Sequence, residues 1–313
     1  MLDATRQRPG DPWLAVWTAE ILRGLGGLTN VLQGGRLTEP VVHKSRRELK
    51  RLRSLLRLAP ASIVDLADDT REVTGELRRR FGHSRDATVM LKTLQSFAGE
   101  LGDTASRINP VLSAHHRQAS AMLDRRSRRW DRDRIARFGE LWRASPIRGN
   151  ASHLCNGAVK AYRRARRQAL ALGKGKDAAL HPLRKACVDH QNHLAFFTLG
   201  AKGKIAARHG KLRRLRDQLG LCHDLEVLRD FVRTRSDVSA SDLIHLEEVL
   251  MRHHGELVQK AIKSSAVLFA GKPRQFEKWF TREFGKVSIS GAAEASSRLE
   301  ASAAPMELQK RIG

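Results

Sequence analysis

Aromatic residues are scarce in this sequence of 313 residues. They make up 5% of it, and only one of them is Tyr. Proteins that hold single-stranded nucleic acid stack the bases on aromatic side chains. The composition therefore disfavours a protein that recognises unpaired bases.

Cysteine is also scarce, and the three thiols are far apart in the sequence. Cys155, Cys187 and Cys222 form no CxxC pair. The spacing of zinc ligands and the even cysteine count of a disulfide framework are both missing. We expect three core thiols in a reducing compartment.

Long apolar runs are missing as well. No stretch approaches the 18 or so apolar residues of a membrane-spanning helix. The first ten residues lack the apolar centre of a secretion signal. We therefore expect a soluble, cytoplasmic protein with no membrane partner.

Acidic residues are few compared with basic ones. There are 58 Lys and Arg against 33 Asp and Glu, a formal net charge of +25. Such a charge repels itself on folding, and a polyanion partner would offset it. Most of the basic residues are Arg, whose planar guanidinium binds phosphate in a bidentate manner. Charge alone leaves nucleic acid among the candidate partners.

Alternating, β-rich segments are almost absent, which predicts an all-α fold, and the 41% of hydrophobic residues suffices for a core. Residues 1–11 and 287–313 are expected to be disordered around one helical domain at 12–286. Helices are predicted at 12–32, 43–58, 64–80, 84–101, 105–143, 151–172, 180–198, 204–219, 223–235, 241–270 and 273–285.

The segment 43–58 carries the strongest pattern. It contains neither Gly nor Pro and is predicted to be helical. At about 100° per residue, one arc of roughly 120° collects a histidine and five basic residues, namely His43, Arg46, Arg47, Lys50, Arg53 and Arg57. A separate arc holds Ser45, Leu49, Leu52 and Leu56. One face is expected to be buried, and another presents a basic stripe headed by a histidine.

A constant offset of 138 residues repeats the start of this stripe. His43 corresponds to His181, and Arg46 corresponds to Arg184. The same shift pairs Arg47 with Lys185, Leu77 with Leu215, Arg78 with Arg216, Phe81-Gly82 with Leu219-Gly220, Asp86 with Asp224, and His115-His116 with His253-His254. We interpret the chain as two copies of one helical unit, at about 12–145 and 151–286. Two bundles related by a pseudo-twofold axis would bring the basic helices to one groove or pore.

Other motifs are weaker. Asp86 and Asp224 each end a Gly-x-x-x-Asp segment and are predicted to cap helix N-termini. The paired histidines lack a carboxylate or Cys at matching spacing, so no metal site is expected. No phosphate loop of the form GxxxxGK[ST] occurs, and no nucleophile signature or acidic cluster for Mg²⁺ is present. We expect neither catalysis nor a cofactor.

These motifs together resemble the CHAD domain, the conserved-histidine α-helical domain. His43, Arg46, Lys50, Arg51 and Arg53 follow its spacing His-x2-Arg-x3-Lys-Arg-x-Arg. The downstream Arg85-Asp86 pair matches the start of its following helix. The second copy matches through His181, Arg184, Lys185 and residues 219–224. The similarity covers roughly residues 12–285.

The resemblance implies a helical fold with a basic central channel that binds inorganic polyphosphate without turning it over. It also implies a location on polyphosphate granules. The second copy departs from the family pattern, because Val188, Gln191 and Asn192 replace the Lys, Arg and Tyr expected there. Whether this second stripe contacts the ligand is left open, as are oligomeric state and chain-length preference.

The predicted polyphosphate site has two halves and an extension. The α-helical stripe supplies His43, Arg46, Arg47, Lys50, Arg53 and Arg57, and the second copy supplies His181, Arg184 and Lys185. Two further basic helices are expected to extend the track through Lys160, Arg163, Arg164, Arg167, Lys211 and Arg214. Two alternatives remain: a nucleic-acid-binding or RNA-scaffold protein, and a phosphohydrolase that uses the paired histidines.

Overall fold

The computed structural model describes residues 11–34, 37–127, 132–198 and 203–287. These residues form twelve α-helices and no β-strand, so the predicted all-α class is confirmed. The helices are α1 Pro12–Gln33, α2 Glu39–Leu55, α3 Val64–Arg80, α4 Gly82–Ser96, α5 Ala98–Leu101, α6 Asp103–Ser127, α7 Arg132–Ala144, α8 Ala151–Leu172, α9 Leu180–Thr198, α10 Lys204–Arg233, α11 Ala240–Leu268 and α12 Pro273–Phe284. The ends predicted to be disordered, at 1–10 and 288–313, lie outside the described residues.

Helix α10 corrects the sequence prediction most clearly. Residues 204–219 and 223–235 were expected to be separate helices, but one helix runs through Lys204–Arg233. Leu219 and Cys222 are both buried, so packing continues across the intervening Gly220. Asp224 is therefore inside α10, and Asp86 is the fifth residue of α4. The prediction that these two aspartates cap helix N-termini is wrong.

Helix α2 begins earlier than the basic stripe suggests. Pro40 occupies its first turn, where a missing N–H costs nothing, and Glu39 complements the helix dipole. His43 is consequently the fifth residue of α2 rather than its first. The helix ends at Leu55 and continues as a 3-10 turn, Leu56–Leu58. Leu49, Leu52 and the rest of the predicted apolar arc are buried.

The apolar residues form two cores. The first is built mainly from α1, α2, α3, α7, α8, α9, α12 and the N-terminal half of α10. The second is built from α4, α5 and α6 together with parts of α10 and α11. The three cysteines are free and buried, as predicted. Each core thus combines helices from both of the predicted units.

Two hydrogen bonds join residues that lie 138 positions apart. Asn192 Nδ2 donates to Ser54 Oγ at 3.0 Å, which links α9 to α2. Thr104 Oγ1 donates to Asp242 Oδ1 at 3.0 Å, which links α6 to α11. Contacts between equivalent positions are what a pseudo-twofold axis would produce. The internal repeat itself stays a prediction.

Across the part of the chain that the structure describes, no helix is long and apolar enough to span a bilayer.

Candidate anion-binding cavity

A cavity of about 480 Å³ lies where α2, α3, α4, α9 and α10 meet. We call it the central cavity. Its lining includes eight Lys or Arg side chains and two Asp side chains. The lining residues are Arg46, Lys50, Arg53, Ser54, Arg57, Arg78, Arg85, Asp86, His181, Arg184, Lys185, Val188, Asp189 and His223.

Helix α2 supplies one wall because its basic residues recur at about one turn. Arg46, Lys50 and Arg53 of α2 and Arg57 of the 3-10 turn after it follow at steps of three or four residues, so their side chains lie on the same side. The opposite side of α2 is buried in the first core. The apolar packing of α2 therefore fixes the direction of the basic row.

Backbone contacts to α3 hold two of these guanidinium groups. Arg46 Nη1 donates to the carbonyl oxygen of Arg78 at 3.0 Å. Arg53 Nη1 donates to the carbonyl oxygen of Arg71. A Cβ atom built on Gly75 would lie 2.6 Å from Arg53 Nη1, so the glycine leaves the space that Arg53 occupies. The backbone of α3 thus orients the guanidinium groups of Arg46 and Arg53.

The acidic residues at the cavity wall are engaged by arginines. Asp189 accepts a hydrogen bond from Ser54 Oγ at 2.9 Å and lies 3.0 Å from Arg57 Nε. The Oδ2 atom of Asp189 that pairs with Arg57 also accepts a hydrogen bond from Arg164 Nη2 at 3.2 Å. On the far side, Arg85 contacts Asp86 and Asp224 at 3.1 and 3.2 Å. These aspartates orient arginines and leave the cavity strongly cationic.

Burial, reinforced by neighbouring cations, lowers the pKa of several of these groups. Burial is the largest cause at Lys50 and lowers its pKa to about 7, with Arg184 and Arg46 adding to the effect. Burial likewise lowers the pKa of Arg46 and of Arg53 to about 10. Positive charge is therefore disfavoured in the empty cavity, and a bound anion would relieve that cost.

His43 and His181, which the offset of 138 residues pairs in the sequence, are both exposed but differ in their position relative to the central cavity. His181 lines the central cavity, and its ring centroid lies 5.3 Å from that of His223. Burial, followed by Lys185 and His223, lowers the pKa of His181. His43 is exposed and does not line the cavity, although burial and the nearby Arg47 and Arg85 lower its pKa.

A second cavity, also of about 480 Å³, lies between α3 and α8. It shares Arg57 with the central cavity and adds five further cations. These cations are Arg71, Lys160, Arg163, Arg164 and Arg167. A Cβ atom on Gly157 of α8 would lie 2.7 Å from Leu58 Cδ2 and 3.0 Å from Leu58 Cα. This close approach of α8 to the turn after α2 brings Arg57 to the boundary of both cavities.

The structure does not bring every predicted residue to these cavities. His43 and Arg47 are exposed and line neither of them, and the same holds for Lys211 and Arg214 on α10. The prediction that α10 extends the track is therefore not supported by its position. Arg51, which matches the family spacing, forms an ion pair with the buried Glu20 instead.

Sequence reasoning missed several cations at these sites. Arg71 and Arg78 come from α3, and His223 comes from the middle of α10. Arg78 belongs to the basic run Arg78-Arg79-Arg80 just before the α3–α4 junction. Two features of the sequence pointed to Arg78. They are this basic run and the offset of 138 residues that pairs Arg78 with Arg216.

Comparison with known families gives one match. A family model described as the CHAD domain matches residues 30–233, from the end of α1 to the end of α10. All residues that line the central cavity fall inside this range. The search of curated proteins found no match to the chain.

Proposed function

Because the chain belongs to the CHAD domain family, we propose that it binds inorganic polyphosphate in the central cavity and does not hydrolyse it. Polyphosphate carries roughly one negative charge per phosphate and no bases, so binding depends on charge pairing with release of counterions. The main support is the set of eight Lys and Arg side chains that converge on the central cavity. A rigid helical wall presents these side chains at intervals of about 5–6 Å, one helical turn.

The lining of the cavity favours polyphosphate over nucleic acid. None of the described residues that line it is Phe, Tyr or Trp, so unpaired bases would find no aromatic platform. Its volume of about 480 Å³ is that of a small-ligand site and is too small for a duplex.

The aspartates of the cavity support binding without hydrolysis. Asp189 contacts Ser54, Arg57 and Arg164, and Asp86 contacts Arg85. Each carboxylate is thus held by a cation of the wall, a role in positioning rather than in proton transfer. The two pairs of histidines are also outside the cavity lining.

We further propose that a long chain continues from the central cavity into the second one. Arg57 belongs to both linings, and Asp189 bridges Arg57 to Arg164 at their boundary. Phosphates beyond the central cavity would meet Lys160 and Arg167, both exposed on α8. The variant Lys160→Glu/Arg167→Glu should bind long polyphosphate chains more weakly and bind short chains as before. Lys211→Glu/Arg214→Glu, which changes the same charge away from both cavities, is the matched control.

Calorimetric titration with polyphosphates of graded length tests the binding proposal. We expect affinity to rise with length until the cavities are filled. The logarithm of the binding constant should fall with the logarithm of salt concentration, with a slope of about −4 for roughly six phosphate contacts to a single strand.

Competition separates polyphosphate from the nucleic-acid alternative. Duplex DNA, duplex RNA and long polyphosphate are compared at equal phosphate concentration and salt. Displacement of polyphosphate by a duplex would contradict the proposal. Release of inorganic phosphate on incubation with Mg²⁺ or Mn²⁺ would instead support a phosphohydrolase.

Granule association is part of the same proposal. A fluorescently tagged chain should co-localise with polyphosphate granules in cells that contain them. A tagged Arg46→Glu/Lys50→Glu variant should be diffuse. Equal distributions of the two proteins would argue against recruitment through the central cavity.

A further inference from the structure

Lys50 differs from Arg46, Arg57 and Arg184 of the central cavity in its charged neighbours. Each of these three arginines has a nearby carboxylate that raises its pKa. The carboxylate is Asp86 for Arg46, Asp189 for Arg57 and Asp224 for Arg184. The four charged groups that most affect the pKa of Lys50 are all arginines, and each of them lowers it. Within the described residues, no carboxylate lies within ion-pair distance of the Lys50 ammonium.

We propose that Lys50 is a site of covalent acylation by acyl phosphates, whose phosphate group docks among the arginines of the central cavity. The geometry provides both parts of such a reaction. Arg46, Arg78, Arg85 and Arg184 form the phosphate-binding side, and the Lys50 amine lies among them. Guanidinium groups suit a phosphate oxygen pair because they donate two parallel hydrogen bonds.

The protonation of Lys50 supports this role. Burial and the surrounding arginines lower its pKa to about 7 in the empty cavity, so near pH 7.5 a large part of the amine is neutral and nucleophilic before a phosphate group docks and raises that pKa. An exposed lysine with a pKa near 10.4 is neutral in only about 0.1% of molecules at that pH. Lys50 is half-buried but lines the cavity, so a docked ligand reaches it.

The proposed step is an acyl transfer without oxidation or reduction. The Lys50 Nζ lone pair attacks the carbonyl carbon of the acyl phosphate, and an N–C bond forms. The bond between that carbon and the bridging phosphate oxygen breaks, and inorganic phosphate departs among the arginines. The proton lost from Nζ passes to the departing phosphate. Lys50 becomes a neutral amide.

Such a modification would regulate the proposed polyphosphate site. It removes one positive charge from the middle of the α2 row, between Arg46 and Arg53. The acyl group also occupies space where phosphates would bind. This consequence rests on the proposed function, whereas the acylation itself requires only that the cavity docks a phosphate group.

The experiment treats the full chain with acetyl phosphate near pH 7.5 and measures acetylation of each lysine by peptide mass spectrometry. We expect the initial rate at Lys50 to exceed that at Lys185 and Lys211 by at least about tenfold. Lys185 is an internal control because it lines the same cavity but is exposed. Lys211 is exposed and outside both cavities.

Two comparisons separate docking from simple nucleophilicity. Millimolar inorganic phosphate should slow the acetylation of Lys50 by acetyl phosphate and leave Lys211 unchanged. With N-hydroxysuccinimidyl acetate, which has no phosphate to dock among the arginines, the preference for Lys50 over Lys211 should shrink. Equal rates at Lys50 and Lys211, or no protection by phosphate, would overturn the proposal.

The outcome is independent of the proposed function. If polyphosphate binds in calorimetry but Lys50 is not preferentially acetylated, only this inference fails. If Lys50 is acetylated and protected by phosphate but polyphosphate does not bind, the inference stands and the proposed function fails. Where both hold, the acetylated chain and the Lys50→Gln variant should show the same loss of affinity, and Lys50→Arg should retain binding.

Discussion

The α2 and α9 walls of the central cavity begin alike and then diverge. Arg46 on α2 and Arg184 on α9 both line the cavity at positions 138 residues apart. One turn later, Lys50 faces the cavity from α2, whereas Val188 does so from α9. The next position is Arg53 on α2 but Gln191 on α9. Gln191 is turned to His209 and Arg216 of α10.

The difference follows from how much of each helix is buried. Helix α9 packs against α2, α8 and α10, and Cys187, His190, His193 and Phe197 are completely buried. Charge on these buried faces of α9 would lose solvation without compensation, so only the face with Arg184, Lys185 and Val188 borders the cavity. Cations instead enter the cavity region from α3, α4 and α8. The basic lining of the cavity is thus completed by helices other than α9.

Charge reversal should reveal the largest difference in polyphosphate affinity between the α2 wall and the α9 wall. We expect Arg46→Glu/Lys50→Glu to weaken polyphosphate binding by about 100-fold, the loss expected for two charged hydrogen bonds. Arg184→Glu/Lys185→Glu should weaken polyphosphate binding by only about tenfold, because Lys185 is exposed and its charge is screened. Binding is measured by calorimetry in about 0.15 M salt.

The control for both variants is Lys211→Glu/Arg214→Glu, which makes the same change in net charge outside the cavities. It should stay within about twofold of the unmodified chain in that salt. Circular dichroism establishes that each variant remains helical. Equal losses for the two walls would mean that their difference has no functional role.

The pH dependence of binding should be a property of the α2 wall. Lys50 has a pKa of about 7 in the free cavity, and a bound anion raises it. Affinity should therefore be highest below pH 7 and fall by up to about tenfold per unit as pH rises from 7 towards the bound-state pKa. Lys50→Arg should flatten the profile, since guanidinium stays protonated.

Titrations at pH 6, 7 and 8 make the comparison. His43 and His181 act in the same direction, and burial followed by neighbouring cations lowers their pKa values from 6.5 in the free protein. His181→Gln is the control and should retain the slope between pH 7 and 8. A slope that survives Lys50→Arg but not His181→Gln would assign the effect to the α9 wall.

Restoring charge on α9 should reduce the difference between the walls. Val188 lines the cavity at the position equivalent to Lys50, so Val188→Lys adds a cation there. We expect affinity for polyphosphate to rise by about tenfold, the value of one favourable charged contact. Val188→Met adds similar length without charge and should leave affinity nearly unchanged. Unchanged affinity in a folded Val188→Lys protein would indicate that the ligand does not reach α9.

The smallest expected effect concerns the support of α2 by α3. In Gly75→Ala the new methyl group would lie 2.6 Å from Arg53 Nη1, so the guanidinium must move. Binding should weaken by about threefold, as expected when one phosphate contact is displaced rather than removed. Gly210→Ala on α10 meets no atom within 4 Å and is the matched control. A Gly75→Ala protein that binds normally would show that Arg53 is not fixed by α3.

Most helices were predictable because their apolar periodicity is strong. The bounds of α3, α8 and α9 agree with the prediction to the residue. The error at α10 arose from treating Gly220 as a helix end, although buried neighbours on both sides continue the helix through it. A glycine alone does not reveal whether tertiary packing overrides its low helix propensity.

The α2 part of the cavity was predictable, and the rest required tertiary information. Arg46, Lys50, Arg53 and Arg57 share a helix face, so their periodicity placed them together. The position of Arg78 depends instead on how α3 packs against α2. The sequence likewise could not indicate that α8 approaches the α2 turn at Gly157 while Lys211 and Arg214 remain distant. Net charge identifies a basic helix, but only packing determines which of its residues meet.

Helices α10 and α11 each contribute to both apolar cores. Leu212 and Leu215 of α10 pack in the first core, and Leu228 and Val232 of the same helix pack in the second. Helix α11 does the same through Leu246 in one core and Leu268 in the other. Melting either core would remove the packing of two continuous helices and so destabilise the other. The chain should therefore unfold in one cooperative transition, even though its sequence reads as two units.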